Sequence, residues 1–160
     1  MPPKPRFSFQ ARQHETIKMW VTLYTDASFK NDQGTWAVWI RSNQGRIVLN
    51  GLCPKSVTNS LAAEAFAIHK GIAAIIEELT DVIGIHINSD CLSLKTAFFP
   101  WGKDIKDKET LRIQTVVKKK IAENLIKIRF SHVKAHQRND NVRSYLNNKC
   151  DLLAKKAYHK

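Results

Sequence analysis

From residue 21 the chain alternates. Val21, Leu23 and Thr25 fall on one side of an extended backbone, and Thr22, Tyr24 and Asp26 fall on the other. That two-residue period predicts a strand over 20–26, and similar patterns predict strands over 35–41 (TWAVWIR) and 45–52 (GRIVLNGL). The SNQG between the last two reads as a hairpin turn, and three short-linked strands in a row predict an antiparallel start to a sheet. The period then lengthens. Leu61, Ala65, Ile68, Ile72, Ile75 and Leu79 recur at helical spacing, a fourth strand runs over 82–90 (VIGIHINSD), and a short helix follows near 91–98. A second long helix, KETLRIQTVVKKKIAENL, turns Ile113, Val116, Val117 and Ile121 inward. A fifth strand over 126–133 (IKIRFSHV) and a last helix, SYLNNKCDLLAKKAY, capped by Ser144, close the chain. The predicted order is β-β-β-α-β-α-α-β-α: an α/β fold with a five-stranded mixed sheet, three antiparallel strands continued by crossovers into parallel ones, flanked by helices.

Length and composition fit this plan. A chain of 160 residues, 43% hydrophobic, can bury one core without disulfides or structural metal. Residues 1–17, with Pro2, Pro3, Pro5 and several basic residues, predict a flexible basic arm ahead of one domain over 18–160. No apolar run approaches the length of a membrane span, and the first twenty residues lack the apolar core of a signal peptide, so the expectation is an intracellular, cytoplasmic protein with no membrane partner. Cys53, Cys91 and Cys150 are odd in number and form no C-x-x-C pair, which points to reduced, buried thiols. Charge adds more. The 26 Lys and Arg against 14 Asp and Glu leave +12, an excess that suits a polyanion such as a phosphate backbone, although a basic surface kept for solubility has the same composition.

Against that excess four acids stand out by position. Asp26 ends the first strand on the face opposite Val21 and Leu23. Glu64 lies at the edge of the apolar stripe of the first helix, in line with Ile68 and Ile75, where a carboxylate is costly unless paired or metal-bound. Asp90 ends the fourth strand in the row of His86 and Asn88, and Asp151 lies one turn after Asn147 beside the stripe Leu146, Cys150, Leu153 and Ala157. Singly, each reads as a surface charge or a helix cap. If the strands of Asp26 and Asp90 are neighbours, their C-terminal ends share one crevice, where ligands of open α/β sheets bind. Repelling carboxylates gathered there call for cations, and oxygen-only ligands suit Mg²⁺ or Mn²⁺ better than zinc. The His132 and His136 spacing would suggest zinc on a helix, but the segment reads as strand running into loop; His132, His86 and His69 read as satisfied structural histidines.

Five pieces in order, YTDAS, AAEAFAI, INSD, HVKAHQ and NNKCDLLAKKA, make the chain from Trp20 to Tyr158 resemble type-one ribonuclease H. The resemblance implies a monomeric endoribonuclease that cuts the RNA strand of RNA–DNA hybrids, with Asp26, Glu64, Asp90 and Asp151 holding two Mg²⁺ ions and Mn²⁺ able to substitute. It places the family's loop histidine on His136 and its helix asparagine on Asn147. Contacts to RNA 2′-hydroxyls would fall to Asn59 and Ser60, one residue farther from the glutamate than is usual, where an ordinary helix cap is the plain reading. Ala27 and Cys91 replace a glycine and a small hydroxyl residue common after the first and third acids. The basic handle of some bacterial members is shortened to FFPWGKDIKDKE. Its duty would pass to Lys118, Lys119 and Lys120 or to the arm, with Trp101 against the DNA strand; Trp101 in the core and a solvated lysine face are the plain readings. The alternatives are a retroelement-type or DNA-directed nuclease of the same fold, or an inactive module that binds hybrid or duplex RNA.

Overall fold

The computed structural model describes residues 18–98, 105–133 and 140–158. Nine elements follow in the expected order: β1 (Met19–Lys30), β2 (Gln33–Ser42), β3 (Gly45–Leu52), α1 (Ser60–Glu78), β4 (Val82–Ser89), α2 (Leu92–Phe98), α3 (Lys108–Glu123), β5 (Lys127–His132) and α4 (Asp140–Tyr158). The sheet order is β3-β2-β1-β4-β5, antiparallel across β1, β2 and β3 and parallel from β1 through β4 to β5. The expected mixed sheet is therefore present, and the strands of Asp26 and Asp90 are neighbours.

Alternation along the strands divides the side chains between two layers. Val21, Leu23, Val38, Ile40, Ile85 and Ile87 point to one face, where they pack with Ala65, Ile68, Ile72 and Ile75 of α1, Leu94 and Phe98 of α2, and Ile113 and Val117 of α3. Tyr24 and Ala37 point to the other face and pack with Leu146 and Cys150 of α4, with Trp39 and Val142 at the margin. Helix α1 starts where Asn59 caps it, its Oδ1 accepting the Ala62 N–H at 2.8 Å. Asp107 does the same for α3, accepting the Thr110 N–H at 2.8 Å and the Thr110 hydroxyl at 2.6 Å. The α1 layer sits close on the sheet because Gly71 has no side chain; a Cβ there would lie 2.6 Å from Leu23 Cδ1.

Two boundaries differ from the sequence reading. Strand β1 does not end at Asp26 but runs on to Lys30 and turns into β2 through Asn31 and Asp32, both at positive φ (52° and 60°). Two left-handed residues make the turn that matches the twist of a hairpin, and the Asn-Asp pair was its sequence signal. Pairing of β1 with β4, by contrast, stops at Tyr24↔Asn88. Asp26 therefore lies where β1 leaves β4 and continues with β2 alone, so the sheet forks there. Helix α4 begins at Asp140, which puts Ser144 inside it rather than at its cap. Only Val142 is apolar in that first turn, too little periodicity to reveal the earlier start.

Candidate active site

The fork sets the site. Asp26 and Asp90 stand two residues beyond the last β1–β4 pair, Tyr24↔Asn88, so equal offsets bring them to one level. Across the hairpin Asp26 pairs with Ala37, a buried residue packed with Leu146 and Cys150 of α4. Glu64, in the second turn of α1, reaches the same place from the opposite layer. Ligand oxygens of Asp26, Glu64 and Asp90 all lie within 4.8 Å of one another. Asp26 is 7% and Glu64 9% exposed, so two of the three carboxylates are largely cut off from water.

Such a grouping is unfavourable without cations. Burial first, and the charge of Asp90 second, push the Asp26 carboxyl up to about 6; Arg143 and the backbone amide of Ala27 pull the other way. The same causes, burial first and then Asp26 and Asp90, raise Glu64 well above the ordinary carboxylate range. Glu64 Oε2 is buried with no hydrogen-bond partner. A buried acceptor without a hydrogen-bond partner among carboxylates can serve as a cation ligand, and an all-oxygen donor set fits a hard divalent ion such as Mg²⁺ or Mn²⁺.

A basic side chain of α4 faces this group. Arg143 Nη2 of α4 is ion-paired with Asp90 Oδ2, with its side chain 15% exposed. Asp151, expected to join the other acids, lies outside the three-acid group. Its Oδ1 accepts from Lys30 Nζ at 3.1 Å, while its charge still bears on Asp26 as the smallest of the causes raising it. Arg143, Asn147 and Asp151 follow one another at i, i+4 and i+8 and so line one face of α4. That spacing was the signal that could have drawn attention to Arg143. Nothing in the sequence singles out Lys30.

The backbone of the site is held from β5 and α4. His132 Nε2 bonds the Asp90 carbonyl oxygen at 2.9 Å, and since a carbonyl only accepts, that nitrogen carries the proton. Val133 N–H donates to Ser89 O at 2.9 Å and the Ser89 hydroxyl accepts the Cys91 N–H at 3.1 Å, so the end of β4 is tied on both sides of Asp90. Cys150 Sγ donates to Asp26 O at 3.7 Å, and Thr35 Oγ1 donates to Cys150 O at 3.4 Å, fastening α4 beside the fork. Cys53 and Cys150 are buried free thiols, each pushed up to about 12 mainly by burial, as expected of structural cysteines.

Of the histidines, His86 is satisfied by Ser131 Oγ at 2.6 Å and His132 as described. His69 departs from the expectation: its Nδ1 is buried without a partner beside the Phe66 ring. Its pKa is held low, first by burial and then by the charges of Lys120, Lys70 and Arg112. Of the expected substrate contacts, Asn59 is the α1 cap, Ser60 opens that helix, Asn147 and Lys118 are exposed, and Lys119 lies 3.8 Å from Glu123. His136, Trp101 and the arm fall outside the described residues.

This sheet, with helices on both faces and an acid group at its fork, is the ribonuclease H fold. Residues 18–159 match the RNase H family model, and the chain belongs to that family. No curated protein matches the sequence significantly. Among solved structures, RNase H1 of the halophilic archaeon Halobacterium salinarum NRC-1 superposes with a TM-score of 0.68 at 12% identity, over 86% of this chain and 99% of that one. The N-terminal RNase H domain of a Mycobacterium tuberculosis protein, solved fused to maltose-binding protein, gives 0.67 at 12% identity over 86% and 98%. LC11-RNase H1, solved in complex with RNA/DNA hybrid, gives 0.65 at 16% identity over 82% and 96%.

Proposed function

We infer that the protein is an endonuclease that hydrolyses the RNA strand of RNA–DNA hybrids with divalent ions bound at Asp26, Glu64 and Asp90 and completed by Asp151. The observation that carries this reading is the group of three carboxylates within 4.8 Å of one another, two of them buried and one with an oxygen left open, in a chain of the RNase H family. A module that only bound nucleic acid would gain nothing from that repulsion. The hybrid bound to LC11-RNase H1 supports the choice of substrate.

Bound Mg²⁺ would supply the activation of a water and the charge that steadies the leaving oxygen of an in-line phosphodiester displacement. The chain's own part is to hold oxygen donors at fixed places. Asp26 and Asp90 are set by two adjacent strands and Glu64 by a capped helix, so the donors are organised before any ligand arrives. His132 fixes the Asp90 main chain. Asn147, Lys118, Lys119, Asn59 and Ser60 are the candidates for holding the duplex, and the net charge of +12 draws a polyanion to the crevice. His136 and Trp101 keep the roles the family resemblance gives them, a proton relay or product-release group and a stacking surface.

End-labelled RNA–DNA hybrid, duplex RNA, single-stranded RNA and duplex DNA, each incubated with Mg²⁺, Mn²⁺ or EDTA, test the assignment. The expected result is metal-dependent cutting of the hybrid's RNA strand, lost in Asp90→Asn. Hybrid cutting that survives EDTA, or equal cutting of duplex DNA, overturns it.

A further inference from the structure

We propose that Arg143 is a built-in counter-cation of the acid group: it holds Asp90 in the metal-free protein and must release it before the carboxylates close on a divalent ion, so that it sets the metal concentration at which the site loads. The proposal rests on the metal-binding reading above and names a residue that controls it.

Three observations support the assignment. Arg143 is ion-paired with Asp90, one of the three grouped acids. Its positive charge also reaches Asp26 and Glu64, opposing the effect of burial at both, so one guanidinium serves all three carboxylates. Its position is fixed: the side chain is 15% exposed, and its helix is fastened beside the fork through Cys150 to Asp26 and Thr35. Lys30, paired with Asp151, differs on this last point. Its side chain is 59% exposed and that of Asp151 39%, so solvent screens the pair and it contributes little either way.

The consequence is electrostatic competition. A guanidinium has no lone pair to offer a metal and repels one. With Arg143 in place, a divalent ion entering the group must break its pairing with Asp90 and then share the crevice with its charge. Even in a water-like medium, a unit charge a few ångströms from a divalent ion opposes its binding by about tenfold or more in affinity. In return, Arg143 offsets carboxylate repulsion when no metal is bound, so the empty site does not force the strands apart.

Calorimetric titration of the full chain with Mn²⁺ alone, without nucleic acid and with wild type and variants at one pH, tests this. Arg143→Ala should bind Mn²⁺ at least about tenfold more tightly than the wild type. It should unfold at a lower temperature in EDTA and recover toward the wild type in saturating Mn²⁺. Arg143→Lys, which keeps the charge, should stay within about twofold of the wild type; this separates charge from damage to α4, because a merely structural lesion weakens metal binding. Saturable binding that Asp26→Asn abolishes but that is equal in wild type and Arg143→Ala overturns the role of Arg143 and leaves the metal site standing. Absence of saturable binding in the wild type overturns the metal site itself and the proposal with it.

Discussion

Asp26 links the acid group to folding stability with a definite sign. Its carboxyl is pushed up from 3.8 to about 6 in the folded protein. Between those values the folded state holds a proton that the unfolded chain has released, so this contribution is full at the acid end and is lost as pH rises through the window. The Asp26 share is on the order of 3 kcal/mol, and Glu64, raised by the same causes, acts in the same direction. Asp107 and Glu109, both held below the usual range mainly by hydrogen bonds to Thr110 and Arg112, act in the opposite direction. The difference between wild type and variant therefore isolates the site. In EDTA, Asp26→Asn should remove much of the wild type's loss of thermal stability between about pH 4 and about pH 6. A variant that keeps the full wild-type slope would show that Asp26 ionises as an ordinary surface acid. The demand of Glu64 for a partner could be read from the sequence, because a carboxylate in line with Ile68 and Ile75 is carried into the core by its own helix and is costly there unless something compensates its charge. The pairing of Arg143 with Asp90 could not, because 53 residues separate them and only the packing of α4 brings them together.

Helix α1 delivers Glu64 only because it lies close on β1. At Gly71 an added Cβ would lie 2.6 Å from Leu23 Cδ1, and Leu23 is fully buried. Gly71→Ala should therefore lower stability in urea unfolding by about 1–3 kcal/mol, even though alanine is the better helix former by about 1 kcal/mol. A variant as stable as the wild type would mean that α1 can shift outward without cost. The helix on the other face is held differently. The Trp39 and Tyr145 rings meet edge to face at 5.4 Å, with Arg46 over Trp39 at 4.8 Å and Lys149 over Tyr145 at 5.3 Å. Elements of this kind were legible wherever the apolar period persisted: all five strands, the order of the helices and the mixed sheet follow from it. The period failed where polar residues carry the structure. The stretch Ala27 to Lys30 extends β1 through backbone pairing with β2 rather than through burial, and the first turn of α4 offers Val142 alone. The fork at Asp26 was hidden for the same reason, since it depends on where β4 stops.

At the scale of the whole molecule, charge governs encounter. A net +12 predicts that hybrid binding, measured in EDTA to prevent cutting, weakens steeply as salt is raised. Residues 1–17 contain Lys4, Arg6 and Arg12 against Glu15, so their removal should weaken binding at low salt and reduce the log–log salt slope by no more than about 3. Unchanged affinity at low salt would remove the arm from the interface. The topology also favours an order of events in which local pairings form before distant ones. Strands β1 to β3 form a meander whose pairings span few residues, closed by the Asn31-Asp32 turn, and such local contacts cost little chain entropy to make. β4 pairs with β1 only after α1 has crossed over, and α4 docks across more than a hundred residues of intervening chain. In that order Asp26 is in place early, Glu64 and Asp90 arrive with the crossover, and Arg143 and Asp151 come last on one helix. The three carboxylates therefore meet before their counter-cation does, and the pairing of Asp90 with Arg143 waits on the docking of α4.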